Sequence, residues 1–326
     1  MKILLTGGAG FLGTRLARRL LAQGELCQQS IETLVLTDRV EQADPQISHD
    51  PRIQLHTGDL LNSLPELMQT SYDAVFHFAS AVSAECEADF VMGQRASLHT
   101  TQALLEKLSH QAQVNGVASR LFFSSSVAVY GGDPGLPLPA VITDHTLPVP
   151  QSSYGIQKFV CEQLIADYTR KGYIDGRVAR LMTVSVRPGR PNGAASGFLS
   201  GIIREPLSGQ ASVCPVDPDL RVALASPETT IDGILTVFQA DRDALGGRTA
   251  INLPALTVSV GEMLGALEDI AGSQTVQLVE FDPDPGIEQL VGSWPSQFDC
   301  ERTRALGLVG DASFEDIIHQ YIDSLA

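Results

Sequence analysis

The sequence has few basic residues and none of the cysteine or histidine patterns that bind metals. Its 326 residues include 22 Lys and Arg against 38 Asp and Glu, which gives a formal net charge of −16. Nucleic-acid and anionic-membrane surfaces depend on clustered Lys and Arg, so this balance argues against both kinds of partner. A small anion can still bind, because a pocket can be locally positive inside an acidic protein.

Paired cysteines and long apolar runs are also missing. The five cysteines are scattered, odd in number and without a C-x-x-C pair, so we expect neither a disulfide framework nor a zinc site. The seven histidines show no H-E-x-x-H spacing, and we therefore predict no metal. No apolar stretch reaches the roughly 18 residues that span a bilayer, and the short apolar N-terminus lacks a secretory signal. We expect a cytoplasmic protein with reduced thiols.

Strand-like and helix-like segments alternate through the first half of the chain. This alternation predicts the α/β class, with a Rossmann doubly wound parallel sheet and a smaller C-terminal substrate-binding α/β region. After Arg187 the chain becomes rich in Pro, Gly and Asn. We expect a first domain over residues 1–187, which residues 226–253 rejoin, and a second domain over residues 188–225 and 254–326. The predicted strands of the first half are Lys2–Thr6, Thr33–Thr37, Ile53–Thr57, Ala74–Ala79, Leu121–Ser125 and Arg177–Val186, whereas Pro206–Pro227 is predicted to be irregular.

A glycine-rich loop, Thr6–Gly13, lies between the first predicted strand and a predicted helix. It fits G-x-G-x-x-G through Gly8, Gly10 and Gly13. It also fits G-x-x-G-x-x-G, with Gly7 as the first glycine. Glycines there permit a tight turn and close backbone approach, and the helix N-terminus presents free N–H groups to a pyrophosphate. The loop therefore predicts a dinucleotide cofactor.

Two acidic residues beyond this loop are candidates for the adenosine half of the cofactor. Asp38 ends the second predicted strand, where a carboxylate hydrogen-bonds the ribose hydroxyls and repels a 2′-phosphate. Asp38 favours NAD over NADP, although its neighbour Arg39 is the type of residue that accommodates the NADP phosphate. Asp59, at the end of the third strand, is a candidate acceptor for the adenine amino group or an ordinary helix N-cap.

Tyr154 and Lys158 are four positions apart in a predicted helix, Tyr154–Thr169, and so share one face. A free tyrosine has a pKa of about 10 and is a weak base at pH 7. The Lys158 ammonium and an oxidised nicotinamide ring are two cations able to lower that pKa, so that the phenolate accepts the alcohol proton during hydride transfer. The alternative is an exposed helical pair. A strand ending in Ser124, Ser125 and Ser126 precedes the helix, at the sheet edge where ligands bind.

Together these motifs resemble those of the extended short-chain dehydrogenases/reductases, the NAD-dependent epimerase/dehydratase family. The resemblance covers essentially the whole chain and extends to Gly58–Leu60, Phe76–Ser80 and Ser124–Gly131. It implies NAD as the cofactor and Ser126, Tyr154 and Lys158 as catalytic residues, with Ser125 as an auxiliary. The implied cofactor contacts are Gly7, Gly10, Phe11, Leu12, Gly13, Asp38, Asp59, Leu60, Ala79, Tyr154 and Lys158.

A narrower resemblance, carried by the stretch from Val186 to Gly233, is to the dehydrogenases that oxidise the four-carbon sugar acid D-erythronate at C2. It implies a small sugar-acid substrate and a 2-oxo-acid product. Arginine offers a carboxylate a bidentate partner. Arg190 is our first choice for that role, and Arg187, which ends a strand, is expected to be structural. The expected substrate contacts are Ser83, Ser126, Arg190, Asn192, Ser196 and Arg221.

Two other functions remain open. A nucleotide-sugar epimerase uses the same core without net NAD turnover, and a non-catalytic NAD-binding module is less favoured because Tyr154 and Lys158 are intact. One helix departs from the family pattern N-x-x-G-T, with Ser97 and Thr100 in place of the usual Asn and Gly, which leaves the substrate choice open. This helix, Leu98–Leu108, and the helix of Tyr154 resemble the dimer seam of the family, so we expect a homodimer.

Overall fold

The computed structural model describes residues 1–189 and 195–325 of the chain. Its strands, numbered along the chain, are β1 (Lys2–Thr6), β2 (Glu25–Leu26), β3 (Gln29–Ser30), β4 (Thr33–Asp38), β5 (Ile53–Thr57), β6 (Ala74–His77), β7 (Arg120–Ser126), β8 (Ile142–Thr143), β9 (Asp175–Leu181), β10 (Thr183–Val184), β11 (Ser212–Cys214), β12 (Arg221–Ala225), β13 (Ile251–Asn252), β14 (Leu256–Ser259), β15 (Val279–Phe281) and β16 (Phe298–Asp299).

The α-helices are numbered in the same way. They are α1 (Phe11–Gln23), α2 (Pro45–Ser48), α3 (Leu60–Leu67), α4 (Ser83–Ala88), α5 (Phe90–Gln94), α6 (Thr100–Asn115), α7 (Ser153–Arg170), α8 (Phe198–Leu207), α9 (Pro227–Gln239), α10 (Val260–Ala271), α11 (Ser273–Val276), α12 (Pro285–Gly292), α13 (Glu301–Ala305) and α14 (Phe314–Asp323). A π-helical turn, Arg95–His99, joins α5 to α6. In the described part of the chain, every helix is too short or too polar to cross a membrane.

A seven-stranded sheet forms the centre of the fold, in the order β5-β4-β1-β6-β7-β9-β13. All neighbouring strands in it are parallel. The chain winds outward from β1 to one edge and then from β6 to the other. In open sheets of this kind ligands bind outside the carboxyl ends of the strands, where the winding changes direction. The predicted Rossmann doubly wound sheet is confirmed, and its winding changes direction between β1 and β6.

Both faces of the sheet are covered by helices, as its alternating side chains require. Ile3 and Leu5 of β1 belong to one buried core, which includes residues of α1 and α9. Leu4, between them, belongs to the core on the other face with residues of α3, α6 and α7. Phe76 of β6 stacks on Phe238 of α9 with ring centres 4.4 Å apart. Helix α9 is thus part of the covering of the central sheet, and β13 completes its edge beside β9.

A third hydrophobic core lies among α8, α10, α14 and the small sheet β10-β12-β14. The prediction that Pro206–Pro227 is irregular was wrong, because this stretch contains β11 and β12. Strand β11 pairs with β15, so that Ser212 is opposite Val279. The predicted strand Arg177–Val186 also divides: β9 stays in the central sheet, whereas β10 pairs with β12 in the second one.

Candidate active site

The glycine-rich loop leaves β1 and leads directly into α1. Its Gly7 and Gly8 N–H groups donate to the Thr37 carbonyl oxygen at 2.9 and 3.1 Å, which ties the loop to the end of β4. A Cβ atom on Gly13 would lie 2.1 Å from the Gly7 carbonyl oxygen, so only glycine allows this contact between helix and loop. Gly10 has no side chain to cap α1, and the first turn of the helix has no acidic residue. The helix N-terminus thus suits an anion.

A cavity of about 470 Å³ runs along the carboxyl ends of the central strands, from this loop to the helix of Tyr154. All eleven residues predicted to contact the cofactor line it: Gly7, Gly10, Phe11, Leu12, Gly13, Asp38, Asp59, Leu60, Ala79, Tyr154 and Lys158. Three residues predicted at the substrate end, Ser83, Ser126 and Ser196, line the same cavity. The close-fitting glycine cradle at one end suits a dinucleotide pyrophosphate.

The two predicted adenosine contacts occupy different surroundings. The Ala9 N–H donates to Asp38 Oδ2 at 3.0 Å, so the Asp38 carboxylate is held against the glycine-rich loop. Arg39 lines the cavity beside it. Asp59 is the N-cap of α3, accepts from the Asn62 N–H at 3.1 Å and lies 3.4 Å from an Arg95 nitrogen. The helix-cap interpretation therefore applies to Asp59, which also faces the cavity.

Ser126 and Tyr154 come together because α7 begins directly against the turn that follows β7. A Cβ atom on Gly155 would lie 2.1 Å from the Ala128 carbonyl oxygen, so glycine is required for this close approach. The Ala128 N–H donates to Ser126 Oγ at 3.1 Å and orients the hydroxyl at the strand end. Lys158 Nζ donates to the Ser124 carbonyl at 2.8 Å and lies 5.6 Å from the centre of the Tyr154 ring. The three predicted catalytic residues thus share one end of the cavity.

Burial dominates the electrostatics of this group of residues. Burial raises the pKa of Tyr154 to about 12, and the Ser126 hydroxyl and the Arg187 cation oppose that rise. The Lys158 ammonium donates its hydrogen bond to the Ser124 carbonyl. Burial also lowers the pKa of Lys158 to about 8. The Arg187 cation, which also lines the cavity, favours the Tyr154 phenolate.

A buried polar network behind β7 holds the strand that carries Ser126, and sequence reasoning missed it. Ser125 Oγ donates to Glu162 Oε1 at 2.5 Å. The Arg180 guanidinium donates to both Glu162 oxygens, at 2.9 and 2.6 Å, and to the Tyr130 hydroxyl at 2.5 Å. The Tyr130 hydroxyl in turn donates to Asn252 Oδ1 at 2.9 Å. The predicted auxiliary Ser125 therefore uses its hydroxyl to join β7 to α7, β9 and β13.

His77 is a second buried residue that the sequence did not assign to the site. Its Nδ1 lies 2.7 Å from Thr6 Oγ1, and its Nε2 lies 3.0 Å from Thr101 Oγ1. Burial, together with the nearby Lys158 cation, lowers the pKa of His77 to about 3. The imidazole is therefore neutral at ordinary pH and connects β1, β6 and α6 behind the site.

At the substrate end, Arg187 faces the cavity, although its place at a strand end favoured a structural role. Arg187 lines the cavity, and its Nη2 lies 3.3 and 3.4 Å from the carbonyl oxygen and Oγ of Ser196. Ser83 Oγ accepts from the Ala195 N–H at 3.3 Å, which links the loop before α8 to α4. Trp294, which no sequence motif marked, lines the cavity as well. These side chains surround the space beside Tyr154.

Arg221 is not brought to the cavity, contrary to the prediction. Ala225, at the other end of β12, pairs with Val184, which lines the cavity. Four residues of extended strand, at about 3.3 Å each, separate Arg221 from that end. Its guanidinium is about half exposed and lies 3.7 Å from the Glu262 carboxylate. The predicted substrate contacts Arg190 and Asn192 lie outside the described residues.

Comparison with known proteins assigns the chain to a family. The model of the "NAD dependent epimerase/dehydratase family" matches residues 3–242, and the chain belongs to that family. A protein of Cupriavidus necator named D-erythronate dehydrogenase is 45% identical over 99% of this chain and 98% of its own length. A Haemophilus influenzae protein of the same name is 41% identical over 99% of both chains.

Solved structures show the same fold over the whole chain. A structure described as the nucleoside-diphosphate-sugar epimerase from Agrobacterium tumefaciens has a TM-score of 0.92, with 36% identity over 99% of this chain and 94% of that one. Family membership confirms the prediction of an NAD-dependent enzyme built on an extended short-chain dehydrogenase/reductase fold. Within the described residues, no group of three or more His, Cys, Asp or Glu side chains is arranged to hold a metal ion.

Proposed function

We propose that this chain oxidises D-erythronate, or a closely similar 2-hydroxy sugar acid, with NAD. The observation that carries the proposal is the convergence of Ser126, Tyr154 and Lys158 on the cavity that also contains the glycine-rich loop. The substrate class is supported by the two full-length relatives that are named D-erythronate dehydrogenase. A dehydrogenase needs both halves of this cavity, one for the dinucleotide and one for a small alcohol.

The glycine-rich loop, Asp38 and Lys158 would hold the cofactor. NAD, when bound, supplies a hydride acceptor and a positive charge at its oxidised nicotinamide. Ser126 holds the substrate hydroxyl beside Tyr154, whose phenolate oxygen accepts the alcohol proton. Because burial raises the pKa of Tyr154, the phenol is the resting form at neutral pH, and proton acceptance becomes easier as the pH rises. We therefore expect oxidation to be faster in alkaline than in neutral solution.

The separation of the core among α8, α10 and α14 from the two cores of the central sheet supports two functional domains. We assign cofactor binding to residues 1–187 with residues 226–253, and substrate binding to residues 188–225 and 254–326. The return of α9 and β13 to the central sheet supports the first assignment. The third core, with α8, α10 and α14, supports the other.

We also propose a homodimer in the cytoplasm. Four apolar side chains on α5 and α7 are exposed, and a second copy of the chain would cover them: Phe90, Val91, Ile156 and Val160. All five cysteines are free thiols, in keeping with a reducing compartment. The net charge of −16 supports a small-molecule substrate in preference to nucleic acid.

A nucleotide-sugar epimerase is the second candidate, favoured by the description of the Agrobacterium tumefaciens structure. Net formation of NADH separates the two functions, because an epimerase returns the hydride to its substrate. Purified protein would be mixed with NAD and a panel of four- to six-carbon aldonic acids, D-erythronate included, and followed by near-ultraviolet absorbance. NADH formed with D-erythronate supports the proposal. No NADH with any acid, from protein that binds NAD, contradicts it and leaves the epimerase.

A further inference from the structure

We propose that Arg187 binds the carboxylate of the substrate and, from its place beside Tyr154, selects a hydroxyl on the carbon next to that carboxylate. The proposal rests on the proposed oxidation of a sugar acid and names the specificity-determining residue of that site. Arg190, our first choice from sequence, lies outside the described residues, and Arg221 does not line the cavity.

The backbone of Arg187 is fixed on both sides by α8. Its N–H donates to Ser200 Oγ at 3.0 Å, and its carbonyl oxygen accepts from Arg204 Nη1 at 2.7 Å. Both of these partners are buried. The side chain therefore starts from a rigid point at the cavity wall, which reduces the entropy lost when it holds a ligand.

The guanidinium of Arg187 has capacity for an anion. It carries five N–H donors, and the two contacts to Ser196 are long, at 3.3 and 3.4 Å. None of the ion pairs in the described part of the chain includes Arg187, and residues 190–194 contain no acidic residue. The neighbouring Arg204, by contrast, is paired with Glu205. A partly buried cation without a carboxylate partner gains most from an anionic ligand.

The electrostatic environment points to the same conclusion. Burial and the nearby Arg204 cation both lower the pKa of Arg187, whereas Tyr154 raises it. A bound carboxylate would offset the two unfavourable effects. Arg187 and Tyr154 both line the cavity, so the two side chains face a common space. A substrate that reaches both must carry its carboxylate and its reacting hydroxyl close together, as a 2-hydroxy acid does.

The test measures ligand binding, so it does not depend on turnover. Trp294 is the single tryptophan of the chain and lines the same cavity, so its fluorescence can report occupancy. Wild type, Arg187→Gln and Arg187→Lys, each saturated with NADH, would be titrated with D-erythronate and with its uncharged amide. Arg170→Gln is the matched control, because Arg170 is an exposed arginine paired with Asp167. NADH affinity, measured separately, checks that each variant is folded.

We expect Arg187→Gln to weaken D-erythronate binding by about 100-fold, since a hydrogen bond to a charged group contributes that order of affinity. Binding of the amide and of NADH should stay within about twofold, and Arg187→Lys should recover part of the loss. The proposal is overturned if wild type does not distinguish acid from amide, or if Arg187→Gln weakens both ligands equally. Arg187-dependent binding without NADH formation would uphold this site and contradict only the proposed oxidation.

Discussion

Replacing Lys158 with methionine is expected to abolish turnover and, at the same time, to stabilise the fold at neutral pH. Lys158 is 3% exposed, and burial lowers the pKa of its ammonium from an ordinary 10.5 to about 8. Methionine has a similar length and no charge, so it fits the same space without the cost of a buried cation. The lysine that the reaction needs at this position therefore lowers the free energy of unfolding.

The size of the effect follows from the two pKa values. Because the folded value is the lower one, the unfolded chain binds more protons between pH 8 and 10.5, and stability rises with pH across that window. Below pH 8 the full cost is present, and the difference between 10.5 and about 8 corresponds to about 3 kcal/mol. The variant also loses the hydrogen bond to the Ser124 carbonyl, about 1 kcal/mol. We expect a net gain of about 2 kcal/mol at pH 7.

Urea unfolding of wild type and Lys158→Met at pH 7 and at pH 9.5 measures this difference. Thiols and phenols whose pKa is raised by burial change stability in the opposite direction, so the two proteins are compared at each pH. The gain should shrink at the higher pH. Lys107→Met, on the exposed face of α6, is the control and should change stability by less than about 0.5 kcal/mol. A Lys158→Met protein that is less stable than wild type at pH 7 would refute the reasoning.

Three other substitutions test the remaining parts of the site. Tyr154→Phe should lower kcat by about 10²- to 10⁴-fold while NADH still binds, because it removes the proton acceptor. Asp38→Asn should raise the ratio of kcat/KM for NADP over NAD by at least about tenfold, since Arg39 still lines that part of the cavity. Glu162→Gln should cost about 3 kcal/mol in urea unfolding, because the Arg180 guanidinium stays buried without its charge partner.

Each of these predictions has an outcome that contradicts it. Near-normal kcat in Tyr154→Phe would exclude the phenol as proton acceptor, and Tyr173→Phe, outside the cavity, controls for a general effect of losing a hydroxyl. An unchanged preference for NAD in Asp38→Asn would mean that this carboxylate does not contact the ribose. If Glu162→Gln costs less than about 1 kcal/mol, the network does not depend on the ion pair. Changing Glu162 and Arg180 together to leucine should cost less than the single change.

The residues that line the cofactor half of the cavity could be predicted from sequence, because each belongs to a short continuous segment. The glycine-rich loop occupies one strand–loop–helix unit, and its spacing alone places Gly13 at the helix start. Asp38 is the last residue of β4, and Tyr154 and Lys158 share one turn of α7. In each case a short segment determines both the conformation and the position of the side chain at the sheet edge.

The substrate half depends on contacts between distant segments, so the sequence placed Ser83, Ser126 and Ser196 at the cavity but did not identify Arg187 there. The parallel pairing of Val184 with Ala225 leaves Arg221 at the end of β12 that is remote from the cavity. Strand β11 pairs with a strand 67 positions later, since Ser212 is opposite Val279. The residues around β11 contain no local pattern that predicts this pairing. The ion pair of Glu162 with Arg180 also depends on tertiary structure, because it joins helix α7 to strand β9.

The return of α9 and β13 to the central sheet has a consequence for how the protein is made. When the ribosome has released residues 1–187, six of the seven central strands exist, yet the helix that brings Phe238 onto Phe76 has still to be synthesised. Until then one apolar face and the open edge of β9 remain available to other chains. Translation products that stop before Asn252 should therefore aggregate or occupy chaperones instead of forming a smaller protein that binds NAD.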